Sequence, residues 1–176
     1  MPKPSIQRHR RKILYEDPYL KVAEHQFKVE GEEYLYYIKE EADFAVVGAL
    51  TIDGSIIMVR QFRPGPARYC YDMPGGMVEP GDSPIETARK ELLEETGYQG
   101  ELEPITSCFP MAYSTARKHI FLARNCVKVA EPQVEANMIA EPLLVSTAEF
   151  APLLRSGNLI DLDCALLLAA KLGMDY

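Results

Sequence analysis

At 176 residues the chain is long enough for one well-packed domain with a small appendage. Its 47% hydrophobic and 26% charged residues exclude global disorder, and no run reaches the roughly 18 to 20 apolar residues of a membrane helix. A net charge of −7 argues against nucleic acid as a partner, yet leaves room for a small phosphate ligand whose charge a metal offsets.

The opening MPKPSIQRHRRK lacks the apolar stretch of a secretory leader and is expected to be a flexible basic tail. KILYEDPYLKVAEHQFKVEGEEYLYYIKEE alternates apolar and polar residues, which predicts two or three antiparallel strands with a turn near EGEE. DFAVVGALTIDGSIIMVRQFR reads as a hairpin turning at Asp53-Gly54. PGPARYCYDMPGG carries too much Pro and Gly for regular structure. Ser83 to Thr96 is the clearest helix: Ser83 suits the N-cap, Pro84 the first turn, Glu86 completes a capping box, and Gly97 fits a left-handed C-terminus. Strands are expected around LEPITSCFPM, HIFLARNCVKV and EPLLVS. A second box, Ser146 to Glu149, opens a helix that Gly157 is expected to close, and a last helix runs from about Asp161 to Leu172. Strands dominate with helices interspersed, so the class is α+β or a mixed α/β sandwich. Cys70, Cys108, Cys126 and Cys164 form no C-x-x-C pair and read as four buried thiols, which suits a reducing cytoplasm.

At 100° per residue, Ile85, Ala88 and Leu92 share one arc of the first helix and are predicted to face the core. Glu91, Glu94 and Glu95, with Thr87, occupy an adjoining arc. A solvated acidic face is the plain reading. Against it, like charges at i,i+3 and i,i+4 destabilise a helix by a few tenths of a kcal/mol each, and the macrodipole disfavours anions in the last turn. Clustered carboxylates make a hard-ligand site for Mg²⁺ or Mn²⁺, which offsets that placement. The preceding PGGMVEPGD loop permits the tight turns and close backbone approach such a site needs.

This stretch resembles the Nudix box: Gly76, five residues, Asp82, seven residues, then Lys90-Glu91-Leu92-Leu93-Glu94-Glu95-Thr96-Gly97-Tyr98. The resemblance implies a Nudix-type α/β/α sandwich with a mixed sheet over residues 43–176, preceded by a tail and a small antiparallel β domain over 1–42. It implies metal binding by Glu91, Glu94, Glu95 and the Gly75 carbonyl, with Glu94 and Glu95 also counted as catalytic. The reaction it implies is hydrolysis of a nucleoside diphosphate linked to another moiety. Two positions depart from the family pattern. Asp82 is one methylene shorter than the box glutamate, and Lys90 replaces an arginine, leaving an ammonium to brace Glu94 without a planar fork.

Outside the box, ILYEDPYLKV, EEYLYYIKEE and MVRQFRPGPARYCYDMPGG are similar to the ADP-ribose and nucleoside-diphosphate-sugar pyrophosphatase branch, which implies a homodimer paired through the N-terminal β domain. The resemblance makes Arg63 a ligand contact through its guanidinium, with Gly76 beside it; solvation at a strand edge is the alternative for Arg60 and Arg63. Tyr36, with Tyr34 and Tyr37, is a candidate for stacking on a base, against burial as ordinary strand aromatics. A downstream carboxylate serves relatives as general base; Glu135 is the choice here, with Glu141 the alternative and Met138 at the aligned position. Arg117 and His119 are candidate phosphate contacts or structural residues. ADP-ribose or a nucleotide sugar is the expected substrate. Other dinucleotide or polyphosphate substrates, and a non-catalytic nucleotide-binding module, are the rivals.

Overall fold

Alternating apolar and polar residues produce a three-stranded antiparallel sheet in the order β1-β2-β3: β1 (Ile6–Glu16), β2 (Lys21–Val29) and β3 (Glu32–Lys39). The computed structural model describes residues 5–133 and 140–175. Two expectations change at this sheet. The basic segment RHRRK is part of strand β1, not a tail, because its backbone pairs with β2 from Ile6↔Val29 to Glu16↔Lys21. Lys and Arg along an edge strand keep it soluble while its backbone is satisfied on one side. Tyr34, Tyr36 and Tyr37 are 47%, 38% and 58% exposed, so burial does not account for them.

The chain divides into two compact units: one reaches Asp43 and includes Cys108–Arg117, and the other comprises Phe44–Ser107 and the chain from Lys118 onward. Within the first unit, Glu40 accepts from Arg11 Nε at 2.6 Å and contacts His25 Nε2 at 2.8 Å. The Arg11 hydrogen bond, helped by His25 and opposed by burial, holds the Glu40 carboxyl at about 2, below its ordinary 4.5. A depressed carboxylate stabilises the fold above its unfolded pKa, and that contribution disappears as pH falls from about 4.5 to about 2. Glu40→Gln is therefore expected to lower the melting temperature at neutral pH, with the gap to wild type closing near pH 2. Melting curves of both proteins across that range check it; a gap of constant size would refute it.

The second unit is built on a seven-stranded mixed sheet: β4 (Phe44–Thr51), β5 (Ile56–Arg63), β6 (Arg68–Asp72), β7 (Gly75–Met77), β8 (Tyr98–Cys108), β9 (Lys118–Lys128) and β10 (Ala140–Val145). The main order is β10-β5-β4-β9-β8, and β4 runs parallel to β9. β4 and β5 pair only near their turn, at Ala49↔Ile57 and Leu50↔Ile56. Into the wedge where they part come β6, antiparallel to β5 from Val59↔Asp72 to Arg63↔Arg68, and β7, antiparallel to β4 from Phe44↔Met77 to Val46↔Gly75. The Pro- and Gly-rich segment thus contains two strands where irregular structure is expected. Its prolines, Pro64, Pro66 and Pro74, all lie outside the paired residues, where a missing N–H costs nothing.

Helix α1 (Pro84–Thr96) begins as its sequence dictates. The Glu86 carboxylate accepts the Ser83 N–H at 2.9 Å and its hydroxyl at 2.5 Å, and Gly97 closes the helix at φ 79°. Ala88 and Leu92 are fully buried against Ala45, Val47, Ala49, Ile57, Phe121 and Ala123, with Ile85 packed at the margin. On the opposite sheet face, Gly48 brings β4 close to Leu168 of α3 (Leu162–Lys171). Side chains from successive β4 residues point to opposite faces, so a strand apolar at nearly every position is covered on both sides. The last helix matches its expected limits, with Asp161 as N-cap. Helix α2 (Thr147–Leu154) opens on the expected Ser146–Glu149 box but ends before Gly157. Pro152 lies in its final turn, and the Arg155 N–H bonds back to the Pro152 carbonyl, tightening the turn early. Cys70, Cys126 and Cys164 are buried as expected; Cys108 is half-buried.

Candidate active site

The wedge between β4 and β5 places the glycine-rich loop against α1. Gly75 and Gly76 lie in β7, and the Gly75 N–H donates to Glu95 Oε2 at 2.9 Å. It is this N–H, pointing at the helix, that joins strand to carboxylate. A Cβ on Gly76 would overlap the Glu91 carboxylate, so the missing side chain lets that acid lie directly on the strand backbone. Burial, opposed by the pull of the Gly75 N–H and helped by neighbouring Glu91, raises the Glu95 carboxyl to about 8. Two carboxylates held side by side in a poorly solvated corner are the charge arrangement a hard divalent cation relieves, so the donor chemistry fits Mg²⁺ or Mn²⁺. Among the described residues no three His, Cys, Asp or Glu side chains are gathered tightly enough to enclose an ion. Glu94, half-buried, follows Glu91 by three residues on the same helix, and its backbone carbonyl accepts the Gln133 N–H at 2.7 Å.

Lys90 does not brace Glu94 by a hydrogen bond. Its ammonium donates to Glu79 at 3.3 Å across the loop, and Glu94 contributes only a longer-range attraction. Asp82 is exposed, in a turn closed by its N–H to the Glu79 carbonyl.

Arg63 is anchored. Its Nε donates to Asp72 Oδ2 at 2.8 Å and its Nη2 reaches the same oxygen at 2.7 Å, while Gln61 Nε2 adds a third donor at 2.7 Å. Alternation along β5 puts Val59, Gln61 and Arg63 on one face, and β6 delivers Asp72 opposite Val59. Lys118 bonds both Asp161 Oδ1 at 3.1 Å and Asp163 Oδ1 at 3.0 Å. Burial opposes the Lys118 charge, but the two aspartates hold its pKa above the ordinary value; Asp161 is itself pushed up by desolvation. Asp72, Gln61, Asp161 and Lys118 are absent from the sequence-based candidates. The signal was the alternation of Gln61 with Arg63, which becomes informative once PARYCYD is recognised as the partner strand.

Other candidates resolve differently. Arg60 donates to Glu141 at 2.7 Å and lies over the Tyr69 ring at 4.6 Å, so Glu141 is committed to an ion pair. Glu135 and Met138 lie outside the described residues. Tyr36 packs on Phe27 edge to face, with Tyr113 at 6.3 Å. The Arg117 guanidinium covers Phe109, while the Arg117 backbone N–H donates to Asp43 Oδ1 at 2.8 Å; His119 Nδ1 meets the Ser107 hydroxyl at 2.8 Å.

The NUDIX domain model matches residues 40–157. The chain belongs to the Nudix family. It is 32% identical to an ADP-ribose pyrophosphatase of Bacillus subtilis over 131 residues, covering 73% of this chain and 70% of that enzyme. It is 47% identical to an ADP-sugar pyrophosphatase of Mus musculus over 55 residues, which span 31% of this chain and only 24% of the mouse protein. In fold, this Nudix chain is similar to a crystal structure titled ADP compounds hydrolase, with a TM-score of 0.77, 20% identity, and coverage of 98% of this chain and 96% of the other. The α+β class with a mixed sheet and a separate small antiparallel sheet is the Nudix architecture expected from the sequence.

Proposed function

We propose that the protein hydrolyses the pyrophosphate bond of a nucleoside diphosphate linked to another moiety, with ADP-ribose or an ADP-sugar as substrate and a nucleoside monophosphate and a sugar phosphate as products. The observation that carries this reading is the seating of Glu91 and Glu95 on Gly76 and Gly75. The activities named for the Bacillus and mouse relatives support the substrate class. Glu91, Glu94 and Glu95, with the Gly75 carbonyl, hold Mg²⁺ or Mn²⁺. When bound, the cation offsets phosphate charge and lowers the pKa of water. The Gly76 backbone, with Glu91 seated directly against it, is the substrate contact beside these acids. Arg63 binds a phosphate oxygen through its guanidinium, and Glu135 takes the proton of the attacking water.

Phosphate released by a coupled phosphatase, with and without Mg²⁺, tests this across ADP-ribose, ADP-glucose, GDP-mannose and a dinucleoside polyphosphate. Intact substrates resist the phosphatase, whereas both monoester products yield phosphate. Magnesium-dependent release, greatest with ADP-ribose or ADP-glucose, is the expected result. Binding without turnover on every member would leave a nucleotide-binding module instead.

The same reading takes the N-terminal β domain, residues 1–42, as a dimerisation element ahead of the hydrolase domain, 43–176, in a cytoplasmic homodimer. The exposure of Ile13, Tyr15, Tyr34, Leu35 and Tyr37 supports a covering second copy, and four free thiols support a reducing compartment. Among the described residues no helix is long and apolar enough to cross a membrane.

A further inference from the structure

Asp72 presents an imbalance. Its side chain is 2% exposed, and Oδ2 accepts from Gln61 and twice from Arg63, while Oδ1 is buried with no hydrogen-bond partner among the described residues. Burial raises its pKa, and the Arg63 guanidinium opposes that rise. A buried carboxylate is costly unless its partners are fixed. This one is kept charged by a guanidinium whose other edge is open, since the Arg63 side chain is 37% exposed. Nε and one N–H of Nη2 are spent on one oxygen, which leaves Nη1 and the second Nη2 N–H as the remaining donors. Asp72 precedes Gly75 by three residues, which confines its Cα to within about 11 Å of the glycine that holds Glu95. The Glu95 carboxyl feels both Arg63 and Asp72. Asp161 also feels the Arg63 charge, and Lys118 bonds Asp161 at 3.1 Å.

We propose that Asp72 is a positioning residue: it clamps Nε and Nη2 of Arg63 so that the remaining Nη1 and Nη2 donors meet the pyrophosphate at the Glu91–Glu95 corner. The inference rests on the hydrolase reading for the identity of the anion. It adds that the guanidinium is oriented by one buried carboxylate and not by its own rotamer preference. Without the clamp, an arginine beside several acids turns toward whichever is nearest, and the phosphate loses a preoriented donor. Lysine at position 63 keeps the charge and a bond to Asp72 but has no second edge to offer.

A double-mutant cycle on ADP-ribose binding, measured by calorimetry with Ca²⁺ in place of Mg²⁺ and paired with kcat and KM in Mg²⁺, tests the clamp. Asp72→Asn and Arg63→Ala are each expected to weaken binding about 10-fold, with the loss in KM more than in kcat, and the double variant to bind no more weakly than either single. Arg63→Lys is expected to bind within about 3-fold of Arg63→Ala, a readout that holds even if Asp72→Asn fails to fold. Losses that multiply in the double variant, wild-type binding by Asp72→Asn, or wild-type binding by Arg63→Lys would each overturn the clamp. Wild-type protein that binds ADP-ribose but turns over nothing sinks the hydrolase reading while the cycle still decides the clamp. Absence of binding by the wild type overturns both.

Discussion

Glu95→Gln is expected to cost about 10²- to 10³-fold in metal-dependent turnover, while the metal-free variant melts no lower than wild type. The two effects have separate physical sources. An amide oxygen still accepts the Gly75 N–H, so the strand-to-helix link at 2.9 Å survives. Without metal the Glu95 carboxyl, raised to about 8, is largely protonated at neutral pH, so the substitution exchanges one uncharged group for another in the folded state. Catalysis loses a preorganised negative charge from the cation site, a change of the kind that removes about 3 to 4 kcal/mol of transition-state stabilisation. Magnesium is expected to raise the melting temperature of wild type and to have a much smaller effect on the variant, because a ligand bound only by the native state stabilises it by mass action. Glu94→Gln should lose at least about 10²-fold in turnover if the third glutamate belongs to the same cage. Full activity in the Glu95 variant would remove it from the metal site; a large fall in its metal-free melting temperature would mean that the charge itself holds the fold.

Gly76→Ala is expected to lower turnover by about 10²-fold with a stability loss of only about 1 kcal/mol. The added methyl overlaps the end of the Glu91 side chain, which can swing away, so packing suffers little while a ligand atom is displaced. Gly75→Ala is the contrasting control. There the added carbon meets the Ala45 carbonyl and the Val46 Cα at 2.9 Å, both backbone of β4, and neither can yield without unpairing β7. The control is expected to lose about 1 to 3 kcal/mol or more, whatever it does to activity. Kinetics and melting curves of the two alanine variants separate the cases. Equal instability in both would mean that Gly76, too, is needed for packing and not for placing Glu91.

Much of this arrangement is legible in the sequence because it is local. Ser83, Glu86 and Gly97 fix both ends of α1, and the helical period assigns Ala88 and Leu92 to the core without reference to the rest of the chain. The Asp53-Gly54 turn likewise announces the β4–β5 hairpin. What sequence reading misses depends on pairing across distance. The strands β6 and β7 are short, flanked by Pro and Gly, and stable only because β5 and β4 diverge to admit them. Asp72 was hidden for the same reason, since its role appears only when β6 sets it beside Gln61 and Arg63. RHRRK carries so much charge that composition suggests a solvated tail, yet pairing with β2 makes it a strand. The Lys90 partner illustrates a finer limit. One turn of helix favours Glu94, but the loop brings Glu79 closer.

The parallel contact between β4 and β9 joins segments about seventy residues apart, and β7 hangs on the same central strand. Loop closure of that span must precede the ladder, so assembly of the sheet centre is a late and slow event. The cradle for Glu91 and Glu95 cannot exist before it. Catalytic competence should therefore lag behind helical circular dichroism during refolding, with α1 present as a helix before its acids have anything to rest on.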